Sequence, residues 1–153
     1  MKEKFMKVAL KCAKRAFEKD EVPIGACIVL NGKVIAKAYN QMEKTQDATA
    51  HAEILAIKKA CKKLNSWRLE DAEIYVTLEP CAMCAGAIVN ARIKKVYFGA
   101  TEPKSGCAQS KFPVLSQSGL NHTTEFEGGV LEEKCKNLIK NYFKLKRSQK
   151  SLD

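Results

Sequence analysis

Two short stretches constrain this chain more than any others: His51-Ala52-Glu53 and Pro80-Cys81-Ala82-Met83-Cys84. They hold one imidazole, two thiols and a carboxylate that need not bind metal. That is the inventory of a three-ligand metal site with the fourth position left for water, the pattern of catalytic zinc. A closed structural site would want a fourth Cys or His. Such a centre requires the fold to bring both stretches to one point.

The local spacing suits that task. Ala50-His51-Ala52-Glu53 opens an apolar-periodic run through Ile54, Ile57 and Cys61, which predicts a helix with His51 in its first turn. Glu53 then points to a different side from His51 and is free to handle protons. Pro80 suits the first position of a second helix, where its missing N–H costs nothing. Cys81 and Cys84, three apart, would share a face of that helix. Two helix N-termini aimed at the thiolates would lower their pKa. Each piece has a plainer meaning alone. Cys-x-x-Cys also serves as a redox pair or half a structural zinc site, and a His at a helix start is often a cap. His51 is one of only two histidines, the other being His122.

At 153 residues the chain reads as a single domain, 1–153, large enough for a core without disulfide staples. Its 46% apolar content marks it as globular. No apolar stretch reaches the length of a membrane span. The basic N-terminus lacks the apolar block of a signal peptide, so a cytoplasmic protein is expected. Cys12, Cys27, Cys61, Cys107 and Cys135 read as reduced, mostly buried small hydrophobes. The net charge of +10 is concentrated at the ends. Residues 1–20 and 131–153 each hold seven Lys/Arg against three Asp/Glu. Basic ends suggest a polyanionic partner; a lysine-rich solvated surface is the plainer alternative.

Along the chain, residues 2–19 have the periodicity of an amphipathic helix. Residues 24–30 read as a buried strand, Asn31-Gly32 as a hairpin turn and residues 33–39 as the returning antiparallel strand. Residues 40–49 look like loop. Residues 73–78 predict a third strand, running into the Pro80 helix, which ends near Arg92. Residues 95–100 predict a fourth strand, completing a parallel crossover unit. Residues 101–129 read as loop with one short helix, and Leu131 to Leu145 as a last amphipathic helix. The expected architecture is a three-layer α/β/α sandwich with a mixed central sheet.

Further stretches carry a resemblance: Thr49-Ala50-His51-Ala52-Glu53, residues 75–87 around Pro80-Cys81, Val96-Tyr97-Phe98-Gly99-Ala100, and the ending from Glu127-Gly128-Gly129 to Tyr142-Phe143-Lys144. With the H-x-E and P-C-x-x-C signature of zinc nucleobase deaminases, the chain resembles the cytidine-deaminase-like superfamily and, within it, the bacterial tRNA-specific adenosine deaminases. The resemblance runs from Glu21 to the last helix. It implies hydrolytic conversion of adenosine to inosine at the wobble position of a tRNA anticodon, with the anticodon stem-loop as partner and a homodimer as the assembled form. It implies a Zn2+ cofactor with His51, Cys81 and Cys84 as ligands and Glu53 as the catalytic proton shuttle. It assigns Asn40 and the backbone amide of Ala52 to the target base, and Tyr142 and Phe143 to the substrate loop. Asn40 is equally a turn residue. Tyr142 and Phe143 are equally core, and at least one is expected there. The basic residues Lys144, Lys146 and Arg147 would meet phosphates. Where the family reads Arg-Asp after the Phe-Gly-Ala strand, this chain has Thr101-Glu102, then Pro103. Glu102 keeps the carboxylate on a longer arm.

Three other functions fit parts of this pattern. A free nucleobase or nucleotide deaminase would share the metal site but need no basic ends. A non-catalytic tRNA-binding subunit would be expected to lack Glu53. A redox protein using Cys81 and Cys84 would hold no zinc.

Overall fold

The computed structural model of the chain describes residues 1–116 and 122–152. Helix α1, Lys2–Glu18, lays Phe5, Met6, Ala9, Leu10 and Ala13 along one buried stripe. Strands β1, Gly25–Leu30, and β2, Lys33–Tyr39, pair antiparallel. Asn31 and Gly32 both take positive φ, 52° and 75°, the turn whose twist matches the flanking strands. A short helix α2, Met42–Thr45, follows. Next come α3, Ala52–Leu64; β3, Glu73–Leu78; α4, Ala82–Asn90; and β4, Lys95–Ala100. A 3-10 turn at Val114–Ser116, a three-residue strand β5, Glu125–Glu127, and a long helix α5, Glu132–Leu152, complete the chain.

The sheet order is β2-β1-β3-β4-β5. β1 is antiparallel to β2 and β3; β4 runs parallel to β3 and β5. Alternate residues of each strand feed opposite layers, as the period-2 pleat dictates. Ile28, Ile74, Val76, Val96 and Phe98 face α3 and α4 with Ala56, Ala60, Ala85 and Ile88. Cys27, Val29, Tyr75 and Tyr97 face α1 and α5, meeting Phe5, Met6, Leu10 and Cys135. The result is the mixed sheet between two helical layers. Small alanines on α3 and α4 let those helices lie close to the sheet. That layer carries both metal-binding stretches.

Two helix starts differ from expectation, and two short elements were not expected. α3 begins at Ala52, so His51 is its extended N-cap, outside the first turn. α4 begins at Ala82 and its N-cap is Cys81, which displaces Pro80 from the first helical position. In both cases an extended backbone aims a ligand residue sideways from the helix start. α4 stops at Asn90, near Arg92 as expected, and Arg92 adopts a positive φ of 65°. α2 occupies ground read as loop. It has no apolar stripe and is instead fastened from afar: the amides of Glu43 and Lys44 donate to the buried carboxylate of Glu21 at 3.0 and 2.8 Å. β5 was not expected either, since its one apolar residue, Phe126, sets no alternation. Residues 117–121 of the expected 101–129 loop lie outside the described residues.

Candidate metal centre

The ends of two helices build the site. His51 caps α3, Cys81 caps α4, and Cys84 sits in the first turn of α4. The His51 Nδ1 is 3.7 Å from Cys81 Sγ and 3.5 Å from Cys84 Sγ. Their three ligand atoms all lie within 4.8 Å of one another. Tetrahedral zinc, with bonds of about 2.0–2.3 Å, separates neighbouring ligand atoms by roughly 3.5 Å. The donor set and its spacing therefore fit zinc. The electrostatics agree. A hydrogen bond from Cys84, then one from His51, draws Cys81 down to about 4, against the effect of its burial. The same Cys81 bond, with burial, pushes the Cys84 thiol up, and the hydrogen bond with Cys81 raises His51. These shifts favour the thiolate at Cys81, the form that binds metal.

Glu53 lies in the first turn of α3 and is buried, at 4% exposure. Burial lifts its carboxyl to about 7. It is outside the three-ligand cluster. An acid with a near-neutral pKa beside a metal is suited to giving and taking protons. Asn40, also buried, accepts a 2.7 Å hydrogen bond at Oδ1 from the Ala52 amide. The two groups expected to meet a target base are thus bonded to each other. The cause is local: the first amides of α3 need acceptors, and Asn40 supplies one from the end of β2. The Ala52 amide thus has a partner within the protein.

The family model for MafB19-like deaminases matches residues 1–147. The tRNA-specific adenosine deaminase of Bacillus subtilis is 51% identical over 97% of this chain and 92% of its own. That of Aquifex aeolicus is 52% identical over 96% and 97%. The chain belongs to the tRNA-specific adenosine deaminase family. A solved structure from a study of A-to-I editing by tRNA:A34 deaminases at the wobble position of transfer RNA superposes with a TM-score of 0.86. It is 46% identical and covers 88% of this chain and 98% of that one.

In this tRNA-specific adenosine deaminase family member, the segment after β4 is organised by a residue that sequence reading passed over. Glu79, 2% exposed, stands between β3 and Pro80. Its carboxylate accepts the amides of Glu102 at 3.0 Å, Ala108 at 3.1 Å, Gln109 at 2.8 Å and Ser110 at 2.9 Å, and the Ser110 hydroxyl. Gly106 permits the close approach: a Cβ there would lie 2.4 Å from the Glu79 carboxyl carbon. The Cys107 amide donates to the Pro80 carbonyl at 2.7 Å, tying the loop to the residue before Cys81. The Glu102 side chain turns back onto its own loop, its Oε1 accepting the Lys104 amide at 3.1 Å. No local pattern signals Glu79, because its partners lie 23 to 31 positions away.

The expected RNA contacts sit on α5. Tyr142 is buried; its hydroxyl donates to Asp20, and its ring meets Phe17 edge-on at 5.6 Å. Phe143 is 43% exposed. Lys144 and Arg147 are exposed, whereas Lys146 is paired with the Asp20 carboxylate at 3.0 Å. Tyr142 and Lys146 border a cavity of about 520 Å³ shared with Lys44 and Glu43 of α2. The last helix is thereby joined to the segment that leads from Asn40 to His51.

Proposed function

We propose that this chain is a zinc-dependent hydrolase that converts adenosine to inosine at the wobble position of a tRNA anticodon. The carrying observation is His51, Cys81 and Cys84 gathered within 4.8 Å beside a buried Glu53 outside the ligand set. The substrate class follows from the family and from the tRNA:A34 deaminase of like fold. His51, Cys81 and Cys84 hold the metal, which supplies a Lewis acid able to bring the pKa of water from 15.7 to about 7. Glu53 accepts the proton of the attacking water and delivers it to the purine ring nitrogen. The carboxylate then takes the second proton from the oxygen added at C6 and passes it to the C6 amine; the C6–N bond breaks, ammonia leaves and the C6 carbonyl of inosine forms. Asn40 Oδ1 is engaged by Ala52, so its amide nitrogen is the atom offered to the base. Phe143, exposed on α5, offers a ring on which a loop base stacks.

The assembled form is a homodimer on this reading, and the exposed apolar side chains Trp67, Phe112 and Leu64 support it. Sedimentation at micromolar concentration checks that part. A cytoplasmic location is supported by seven free cysteines. None of the described helices is long and apolar enough to cross a membrane.

The test is inosine formation in an anticodon stem-loop with a wobble adenosine, run beside free adenine, guanine and cytosine. The stem-loop should be converted and the free bases left. Turnover of a free base in preference to the stem-loop would overturn the assignment. Glu53→Gln should retain zinc and RNA binding and lose activity by about 10²–10⁴-fold.

A further inference from the structure

Away from the metal centre, α1, β2 and α3 enclose a cavity of about 300 Å³ at the free edge of the sheet. Four cationic side chains wall it: Lys11 and Arg15 from α1, Lys37 from β2 and Lys59 from α3. No carboxylate among the described residues lines it. None of the four joins a salt bridge among the described residues. The 520 Å³ cavity beside α5 differs, since Asp20, Glu21 and Glu43 balance its lysines. Two of the four cations are held in place by the protein. Lys59 Nζ donates to the Lys37 carbonyl at 2.9 Å, and the Arg15 guanidinium lies 5.7 Å from the Tyr39 ring centre. All four act on one point, the buried Cys12 thiol. Burial pushes that thiol up, and Lys37, Lys59, Arg15 and Lys11 pull it the other way.

Four like charges facing one cavity repel each other, and an anion entering it is attracted by all of them. The chemistry selects a compact anion with several acceptor oxygens, and Arg beside Lys is the pairing that recognises phosphate. Tyr39, whose side chain lines the cavity, is followed by Asn40 at the catalytic site. The cavity is thus one residue along the chain from the Asn40 end of β2. We propose that this cavity binds backbone phosphate of the RNA substrate outside the nucleotides that enter the metal centre, an inference that rests on the tRNA reading above. It would position RNA without selecting sequence.

The experiment compares the wild-type chain, Arg15→Gln/Lys37→Gln, and a control of equal charge loss, Lys62→Gln/Lys63→Gln, exposed at the end of α3. Binding to a full-length tRNA carrying the wobble adenosine is measured at several salt concentrations, with pyrophosphate as a separate probe and inosine formation as the activity. The cavity variant should bind about tenfold more weakly, with a salt slope lower by roughly 0.7–0.9 per lost contact. KM should rise while kcat holds, and the control should change little. Equal affinity and slope in wild type and cavity variant would overturn the proposal, as would an equal loss in the control. Pyrophosphate binding lost in the cavity variant, with RNA binding intact, would overturn it in favour of a small-anion site. Failure of the wild type to bind tRNA would overturn it too. Loss of RNA affinity in the cavity variant of a chain that makes no inosine would uphold the cavity and reject the proposed function.

Discussion

Replacing Glu79 by Gln should unfasten the segment from Glu102 to Ser110. The carboxylate accepts four amides and a hydroxyl at a site 2% exposed. Gln keeps the shape but turns one acceptor oxygen into an NH₂ donor. If that nitrogen stands at Oε2, it faces the amides of Ala108, Gln109 and Ser110; at Oε1 it faces the amide of Glu102. Either way at least one buried N–H loses its partner, and the remaining bonds lose their charge. Hydrogen bonds to charged groups contribute about 1.5–3 kcal/mol each, and a stranded buried donor costs about 1–3. These terms do not add fully, so a net loss of roughly 2–4 kcal/mol is expected. For a chain of this size, about 2–4 °C of Tm accompanies each kcal/mol, which gives a fall of roughly 4–16 °C. The pH dependence has a definite sign. Burial raises the Glu79 pKa, but the bonds from Ser110, Gln109 and Glu102 outweigh it and leave the carboxyl below its ordinary value. A depressed carboxyl stabilises the fold above its unfolded pKa, near 4.3, and that contribution is lost as pH falls through the folded value. The gap between wild type and variant should be full at pH 7 and narrow in acid. Calorimetry at pH 7 and pH 4, with hydrogen exchange read at residues 102 and 108–110, measures both. A Tm change under about 2 °C at pH 7 with unchanged protection of those amides would refute the reasoning.

Other outcomes follow from the same geometry. Metal analysis of purified chain should give near one zinc equivalent, and Cys84→Ala should lose most of it; full retention would remove Cys84 from the ligand set. Asn40→Ala should cost about 0.5–2 kcal/mol by uncapping Ala52, whereas Asn40→Asp should keep the acceptor and the Tm yet lose activity if the amide nitrogen meets the base. Replacing Lys144, Lys146 and Arg147 together by Gln should weaken RNA binding and lower its salt slope. Lys146, paired with Asp20, should contribute less than Lys144, and an unchanged slope would return this face to ordinary solvation.

Much of the fold was legible in the sequence because its signals are local. β2, β3 and β4 start and stop where apolar runs meet turn residues, and Asn31-Gly32 dictated the hairpin. The ligand residues were legible by chemistry, but their positions at the helix ends were not. His51 and Cys81 are extended caps, and periodicity cannot tell a cap from a first turn. What escaped depends on long-range partners. α2 hangs on Glu21, and the loop after β4 hangs on Glu79. A carboxylate whose hydrogen-bond partners lie more than twenty residues away leaves no local trace. The mutual bond of Asn40 and Ala52, twelve residues apart, was also hidden, although each residue was singled out.

β3 alone in the sheet has an antiparallel neighbour on one side and a parallel one on the other. It is also the strand that delivers Cys81, while His51 arrives from the far side by way of β2 and α2. A slip of β3 by one residue would move the cysteines about 3.3 Å and turn its side chains to the opposite layer. A slip by two would restore the layers but leave the thiolates more than 6 Å out of place. Packing rejects the first error, but it rejects the second less sharply. A metal that needs all three donors at bonding distance discriminates against both. Metal affinity is thereby linked to the native register of β3.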